Sequence, residues 1–298
     1  MRAVMAVAVM GVLAGSAPGG QTAVEGKLEA LHLHGLADPA RWRPAECTVE
    51  ASKTLRAEGM PTLHLRIPVD HQGGEKDHPI GWPRIYLDLK RPDETGWAEF
   101  ESFEFLIHAA MTRPAPPRKP LNLQIHCPDR LQALHRNLAE IRLGEWVRIG
   151  IPIRSIKGVE QVARLGFNIS ESDYRHGEVL DFHIGGFRLV RAAEFGLARL
   201  EVATPVIYRD DARLVVELET VGPPGQIAQG LPLAVYDGER RLWRETRAVT
   251  RGVQTLALDL RGLKLAVGRY ALVAFDEVPG QRVAAEFRIV ESPWEMEK

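Results

Sequence analysis

Short runs in which apolar and polar residues alternate recur along the first two thirds of the chain. In each run every second residue is Leu, Ile or Phe, and the runs occupy 62–67, 84–89, 122–126 and 164–169. Because the side chains of a strand point alternately to its two faces, this period predicts half-buried β-strands. A further strand is predicted over Leu28 to His34. Only Asp129 to Ile141 has helical spacing, and there a short helix and a loop with one turn both remain open.

A second series of strand-like runs follows residue 197. Five alternating runs occupy 214–218, 231–236, 255–260, 270–275 and 284–289, and Val202 to Tyr208 gives a sixth, while 192–197 is predicted to be a connector. Many strands without alternating helices indicate a sandwich or barrel rather than a parallel sheet. Roughly 100 residues of six or seven short strands are typical of an immunoglobulin-like β-sandwich, which we predict over 198–291.

The N-terminus has the residue order of a secretory signal peptide. Arg2 precedes an apolar run over 3–14, and small residues follow up to Ala17. The run is shorter than the roughly 20 residues of a membrane-spanning helix, which favours cleavage near Ala17. We therefore expect a signal peptide over 1–17, a flexible leader over 18–27, and a mature protein that is secreted, periplasmic or at the cell surface without a stable membrane span.

The charge balance bears on the partners of this protein, and the cysteine content bears on whether it contains a disulfide. Lys and Arg total 38 against 39 for Asp and Glu, a net charge of -1, which argues against nucleic acid as a partner. Hydrophobic residues make up 45% of the chain, as in ordinary folded proteins. In an exported protein Cys47 and Cys127 either form a disulfide or remain two buried thiols, and the sequence leaves both open.

Four segments of the first domain resemble the galactose-binding-like jelly roll that many carbohydrate-binding modules share. They are Arg41-Trp42, the strand 58–65 entered through Gly, the segment 144–152 in which Trp146 precedes Val-x-Ile, and the closing run 181–189. The resemblance covers 28–191. The second half resembles the immunoglobulin-like spacers that often follow such modules in extracellular glycan-degrading proteins. The expected fold is therefore all-β, a jelly-roll β-sandwich followed by an immunoglobulin-like β-sandwich.

This resemblance implies a sugar-binding surface, because such modules stack aromatic rings on sugars and direct amide, acid and guanidinium groups at hydroxyls. If the apolar residues of the strands 84–89 and 122–126 point inward, the polar residues between them share one outward face. The strand 164–169 would add Arg164, Asn168 and Ser170 to that face. An ordinary solvated sheet face has the same composition, so both interpretations stay open. The candidate ligand-binding residues are Arg84, Tyr86, Asp88, Asn122, Gln124, His126 and Asn168.

Trp82 and Trp97 lie in predicted loops, where an exposed ring is a platform for a sugar. Trp82 is the first candidate, and packing over the sandwich edge is the alternative for both rings. Trp42 and Trp146 fit the family pattern of buried, structural tryptophans.

Two features of the sequence bear on metal binding, an aspartate at the position of a calcium ligand and several paired histidines. The resemblance implies a structural calcium ion at Asp181, which opens the last strand of the domain, but the early acidic partner is missing. His32 and His34 share a strand face, as paired zinc ligands do, yet no third ligand is evident and surface histidines are the alternative. Zinc ligands and surface histidines are likewise the two alternatives for the pairs His71 with His78 and His176 with His183. No cofactor is otherwise expected.

No catalytic motif is evident. Glu99, Glu101, Glu104, Glu171 and Asp173 supply carboxylates, but nothing marks a pair that shares a cleft, and no nucleophile elbow or phosphate-binding loop occurs. We expect an exported, non-catalytic carbohydrate-binding or cell-surface accessory protein whose partner is a polysaccharide or glycan. The alternatives are a structural or protein-interaction spacer, which predicts an exposed apolar patch, and a glycoside hydrolase or lyase, which predicts a deep pocket of titratable residues.

Overall fold

A computed structural model describes residues 27–73, 80–128, 130–278 and 280–292. The expected signal peptide and residues 18–26 of the leader, together with His78, lie outside the described residues. Strands make up 52% and helices 9% of the structure in four sheets, which confirms the prediction of an all-β sandwich fold. Among the described residues no helix is long and apolar enough to cross a bilayer. The described residues divide into two compact units, Ala30–Val190 and a second that comprises 27–29 and the residues from Arg191 onward.

Eleven strands and several single turns of helix build the first unit. The helical turns are Pro92–Thr95 (α1) and the 3-10 turns His34–Ala37, Pro39–Arg41, Ile153–Ser155 and Glu171–Asp173. The strands are β1 (Leu28–His32), β2 (Arg43–Ala45), β3 (Thr48–Ala51), β4 (Thr62–Pro68), β5 (Arg84–Asp88), β6 (Ser102–Met111), β7 (Asn122–Cys127), β8 (Arg130–Asn137), β9 (Trp146–Pro152), β10 (Arg164–Asn168) and β11 (Val179–Ala192).

These strands form two sheets. One has the order β3–β4–β11–β6–β9, with β1 also paired to β11, and the other has the order β2–β5–β10–β7–β8. From β4 to β11 the chain crosses repeatedly between the sheets, so strands that are distant in sequence become neighbours. This is the double Greek-key order of a jelly roll.

The core of the first unit lies between the two sheets. Phe103, Phe105 and Phe187 meet at its centre with ring centroids 5.6 to 6.3 Å apart. Trp97, a candidate platform, is fully buried with its ring 4.6 Å from that of Phe103, so of the two alternatives for this ring the structure has the packed one. Its indole N–H donates to the carbonyl of Glu94, which satisfies the buried polar atom.

The second unit has its own core and two sheets, one ordered β12–β14–β17 and the other β13–β19–β18–β15–β16. Its helical turns are Pro224–Ile227 (α2) and the 3-10 turn Arg261–Leu263. The strands are β12 (Gly196–Val202), β13 (Val206–Tyr208), β14 (Arg213–Val221), β15 (Leu231–Asp237), β16 (Arg240–Arg247), β17 (Gly252–Asp259), β18 (Gly268–Ala274) and β19 (Val283–Val290).

Two stretches differ from the sequence prediction. The segment 129–141, expected to be a helix or a loop, contains β8, because its backbone pairs with the neighbouring β7 from Asn122 to Cys127. The expected connector 192–197 contains the end of β11 and the start of β12. In both places pairing with an adjacent strand outweighs local preference.

No disulfide joins Cys47 and Cys127. Cys47 follows β2 and Cys127 ends β7, and β5 and β10 lie between those strands. Three strand spacings of about 4.8 Å separate β2 from β7, well beyond the reach of a disulfide. Burial raises the pKa of the Cys47 thiol to about 11, which leaves it unreactive at neutral pH.

Candidate functional site

Strand register gathers the predicted ligand residues on the outer side of the five-stranded sheet. Strand β10 lies between β5 and β7 in antiparallel register, and each of its outward residues faces one residue on either side. Arg43 of β2 extends this surface beside Tyr86. We call the surface the polar face, and its three rows are Arg84–Asn168–Asn122, Tyr86–Gly166–Gln124 and Asp88–Arg164–His126.

The opposite side of the same strands is apolar and belongs to the core, which fixes the direction of every polar side chain. A shift of register by one residue would exchange the two sides, so burial of the apolar set holds the polar face in place. These core residues are at most 1% exposed, and they are Ile85, Leu87, Leu123, Ile125, Leu165 and Phe167.

The Tyr86 ring lies at the centre of the polar face. A Cβ atom built on Gly166 would stand 2.7 Å from Cδ1 and Cε1 of the Tyr86 ring, so the ring occupies the space above this glycine. The rings of Tyr86 and His126 meet in a T-shaped arrangement at a centroid distance of 6.4 Å, and the Arg164 guanidinium lies over the Tyr86 ring, 5.6 Å from its centroid. The glycine thus leaves room for an aromatic ring close to the sheet.

Two buried polar atoms of the polar face have no hydrogen-bond partner within the described residues. They are Oδ1 of Asn168, a residue that is 4% exposed, and Nε2 of His126. A buried acceptor or donor without a partner costs about 1–3 kcal/mol, and because these two atoms are shielded from the surface, each favours a bound water. Asn122, in the same row as Asn168, accepts from Nδ2 of Asn137 at 3.3 Å.

Asp88 is the carboxylate at one end of the polar face. Its Oδ1 accepts from Arg164 Nε at 2.6 Å, and its Oδ2 pairs with Arg43. Burial raises the pKa of Asp88, but the hydrogen bond from Arg164 and the charges of Arg164, Arg43 and Lys90 outweigh it and lower the pKa overall. Burial and the Arg164 charge lower the pKa of His126, so this imidazole is neutral at pH 7.

Trp82 lies two residues before β5, next to the Arg84 row. Its side chain belongs to a residue that is 45% exposed, and the Arg84 guanidinium lies 4.9 Å from its ring centroid. The backbone fixes the ring, because Trp82 N–H donates to Glu46 at 2.6 Å and the Trp82 carbonyl accepts from Arg84 at 3.0 Å. The neighbouring Gly81 N–H donates to the buried Glu171 at 2.8 Å.

Sequence reasoning missed three members or neighbours of this site. Arg43 belongs to a strand of three residues that carries no alternation, and His135 falls in the segment of uncertain structure, opposite Gln124 in β8. Gly166 was missed because it has no side chain to nominate. A glycine within a strand often marks a site where another group approaches the backbone closely, as the Tyr86 ring does here. Ser170, expected on this face, follows the end of β10 and contacts Ser172 at 2.7 Å.

A row of histidines crosses the outer side of the six-stranded sheet. His64, His183 and His108 are direct neighbours on β4, β11 and β6, and the rings of His64 and His183 stack at 4.5 Å. His183 Nδ1 lies 3.0 Å from the Ser52 hydroxyl. Among the predicted zinc pairs, His32 and His34 stack with ring centroids 5.5 Å apart.

Asp181, the candidate calcium ligand, lies beside this row. Its Oδ1 is 2.7 Å from His64 Nε2 and accepts from Arg66 at 3.1 Å, so hydrogen-bond donors surround the carboxylate. In the part of the chain that the structure describes, no group of three or more His, Cys, Asp or Glu residues is arranged to hold a metal ion. The calcium hypothesis stays an untested prediction.

The first unit also contains a cavity of about 260 Å³ beside β11. Its wall is largely apolar, and its two titratable residues are His34 and Asp38. The Asp38 carboxylate accepts from the Ala40 N–H at 3.1 Å and so caps a helical turn. The cavity is lined by Leu33, His34, Ala37, Asp38, Met60, Pro61, Gly186 and Phe187.

No family model and no curated protein matches the sequence. Solved structures that align include an exo-β-agarase (11% identity, 54% of this chain and 24% of that chain, TM-score 0.38) and a β-1,2-glucanase from Parabacteroides distasonis (13%, 92% and 38%, 0.37). A family 27 carbohydrate-binding module from Caldicellulosiruptor saccharolyticus, solved with mannohexaose, aligns at 12% identity over 54% of this chain and 96% of that chain, with a TM-score of 0.33.

The neighbours thus include both carbohydrate-binding modules and glycoside hydrolases. This chain spans well under half of the agarase and of the glucanase. These TM-scores and identities are low, and they show neither the ligand nor the activity of this chain.

Proposed function

We propose that this protein is an exported, non-catalytic carbohydrate-binding protein and that a polysaccharide lies across the polar face of the five-stranded sheet. The observation that carries the proposal is the central row of that face. There the Tyr86 ring lies above Gly166, the 41% exposed side chain of Arg164 lies over that ring, and the 45% exposed Trp82 lies next to the Arg84 row. Aromatic rings flanked by exposed polar side chains are the combination that a sugar ring with its hydroxyls requires.

The chemistry of the polar face favours binding over hydrolysis. Glycoside hydrolysis uses two carboxyl groups on either side of the scissile bond. Asp88 is the carboxylate among the residues that form the polar face, and two arginines hold it ionised. Of the other candidates, Glu104 pairs with Arg188 at 2.8 Å, and Glu171 accepts two backbone N–H groups.

Export completes the proposal. It rests on the order of basic, apolar and small residues at the N-terminus, which predicts that 1–17 are removed as a signal peptide. A polysaccharide outside the cell would then be accessible to the mature chain.

We also propose that the second unit is an immunoglobulin-like spacer. Its sheets, β12–β14–β17 and β13–β19–β18–β15–β16, have the order in which the first, second and fifth strands of that fold pair in one sheet and the later strands in the other. The unit lacks the Cys and Trp core of antibody domains, so topology alone supports this assignment.

The test is affinity electrophoresis of the mature protein in gels that contain mannan, xylan, agarose, alginate or polygalacturonate. We expect retardation on at least one of them, and loss of about 2 kcal/mol of binding free energy or more in Trp82→Ala and Tyr86→Ala. Tyr208→Ala is the matched control, because Tyr208 is 46% exposed but lies on the second unit. Mobility equal to that in plain gel on every polysaccharide would remove the proposal and favour a spacer that binds protein partners.

A further inference from the structure

We propose, on the basis of the proposed function, that the ligand of the polar face is an acidic polysaccharide that carries carboxylate or sulfate groups. Among the described residues, the strand rows of the polar face and its edge hold the cations Arg43, Arg84 and Arg164 against the carboxylate of Asp88, and Glu46 adds a second carboxylate at the Trp82 loop. The whole chain has a net charge of -1, so this excess of positive charge is local to the face. Clefts lined by one sign of charge concentrate ligands of the opposite sign.

At the Asp88 end of the polar face, positive charges outnumber negative charges. One carboxylate serves two guanidinium groups, since Arg164 Nε donates to Oδ1 and Arg43 pairs with Oδ2, and Lys90 adds a third positive charge nearby. The side chain of Arg164 is 41% exposed and that of Arg43 is 63% exposed. Arg164 donates to Asp88 through Nε, which leaves its two terminal amino groups able to bind an anion in the bidentate manner that guanidinium groups favour.

The other end of the face carries Arg84. Within the described residues Arg84 has no ion pair, and it donates to the Trp82 carbonyl at 3.0 Å while its guanidinium lies over the Trp82 ring. Two acids of the described residues contact this loop through its backbone, since Glu46 accepts the Trp82 N–H and Glu171 accepts the Gly81 N–H. An arginine that lies over an aromatic ring and has no carboxylate ion pair among the described residues can receive an anionic group from a ligand.

The two cationic ends flank the Tyr86 platform along one line. Arg84 and Asp88 are the first and last residues of β5, so the rows of Arg84 and Arg164 lie about 13 Å apart. A polysaccharide that crosses Tyr86 therefore meets a guanidinium group on each side of the ring that stacks there. A chain with anionic groups at intervals would use both ends, whereas a neutral chain would leave both cations to solvent.

The experiment compares polysaccharides that share a backbone and differ in charge. The pairs are polygalacturonate with its methyl ester, alginate with its propylene glycol ester, and dextran sulfate with dextran, and affinity is measured by isothermal titration calorimetry on the mature chain. We expect the protein to prefer the acidic member of a pair by about tenfold or more, with affinity that falls as salt rises. The first two pairs report carboxylates and the third reports sulfate esters.

Variants assign the effect to the face. We expect Arg84→Gln and Arg164→Gln each to weaken binding of the acidic member about tenfold without weakening that of its neutral partner. Arg66→Gln is the charge-matched control, because Arg66 is 53% exposed on the other sheet. Equal or tighter binding of the neutral members, sensitive to Tyr86→Ala, would overturn this inference and leave the proposed function intact. Absence of binding to every polysaccharide would remove both.

Discussion

At the scale of single residues, the polar face depends on the pairing of a ring with a glycine. Most residues of the face were identified from strand parity, because every polar residue between two inward-pointing apolar residues must point outward. Parity says nothing about how a side chain lies once it is outside. The orientation of the Tyr86 ring depends on Gly166 of the neighbouring strand, a residue 80 positions later, and only the register of β5 with β10 brings the two together.

The substitution Gly166→Ala tests this orientation. The new methyl group would stand 2.7 Å from the Tyr86 ring and 3.3 Å from the Ile85 carbonyl oxygen, so the ring must tilt away. We expect polysaccharide binding to weaken about tenfold, with a fall in unfolding free energy of about 1–3 kcal/mol. Urea unfolding and affinity electrophoresis measure the two effects separately.

Gly150→Ala is the control for that experiment. Gly150 lies in β9 and a Cβ atom there would meet nothing within 4 Å, so neither binding nor stability should change appreciably. If the Gly166→Ala variant folded and bound polysaccharide as well as the parent protein, the orientation of the Tyr86 ring would have no part in binding.

The histidine row gives a residue-level prediction about acid stability. Burial, together with the charges of His64 and His108, lowers the pKa of His183 to about 4 against the opposing effect of Asp181. The unfolded chain binds this proton near pH 6.5, so the folded state loses stability as the pH falls from about 6.5 towards about 4.

Replacement of that imidazole by an amide removes the titration. We expect His183→Asn to lessen the loss of unfolding free energy over this pH range by about 2–3 kcal/mol, while its side chain keeps a hydrogen bond to Ser52. Urea unfolding curves at about pH 7 and about pH 4.5 measure the difference. Parallel losses in the variant and the parent protein would show that His183 does not carry the acid sensitivity.

At the scale of elements, strands with a regular apolar rhythm were predictable, including the edge strand β17, whereas the edge strands β8 and β16 were not. β16 has the sequence Arg-Arg-Leu-Trp-Arg-Glu-Thr-Arg, and its charged residues conceal the alternation because an edge strand meets solvent along most of its surface. β8 is also an edge strand, and its Ala and Leu residues imitate a helical pattern. In both cases the partner strand supplies the information that the local sequence lacks.

β11 contains an irregularity that the sequence signals as a Gly pair. Its register with β6 shifts between Gly185 and Arg188, and a Cβ atom on Gly185 would stand 2.6 Å from Thr62 Cγ2 and 2.9 Å from the Pro61 carbonyl oxygen. Because one of these contacts is backbone, β4 would have to move away from β11. The glycine therefore permits the close approach of two central strands.

We expect Gly185→Ala to lower the unfolding free energy by about 1–3 kcal/mol through this clash. Thermal or urea unfolding measures the change, and Gly96→Ala is the control, since a Cβ atom on Gly96 meets nothing within 4 Å. Equal stability of the two variants would mean that β4 and β11 adjust without cost.

At the scale of the whole molecule, the sequence predicted the fold class from periodicity, whereas the assembly of the site required the topology. The polar face combines residues near positions 43, 86, 124 and 166, and these strands become neighbours only because the jelly roll threads β10 between β5 and β7. Composition was misleading at this scale, since a net charge of -1 for the chain conceals a local excess of arginine on one sheet.

Because each unit has its own hydrophobic core, the first unit should carry the binding activity by itself. A fragment of residues 27–194 retains the whole of β11 and the hydrogen bond of 2.8 Å from the Ala193 N–H to the Lys27 carbonyl. We expect this fragment to unfold cooperatively and to bind the same polysaccharide as the mature chain within about twofold, while residues 195–292 do not bind. A fragment that melts cooperatively but fails to bind would show that the polar face alone is insufficient and that the second unit contributes to the ligand site.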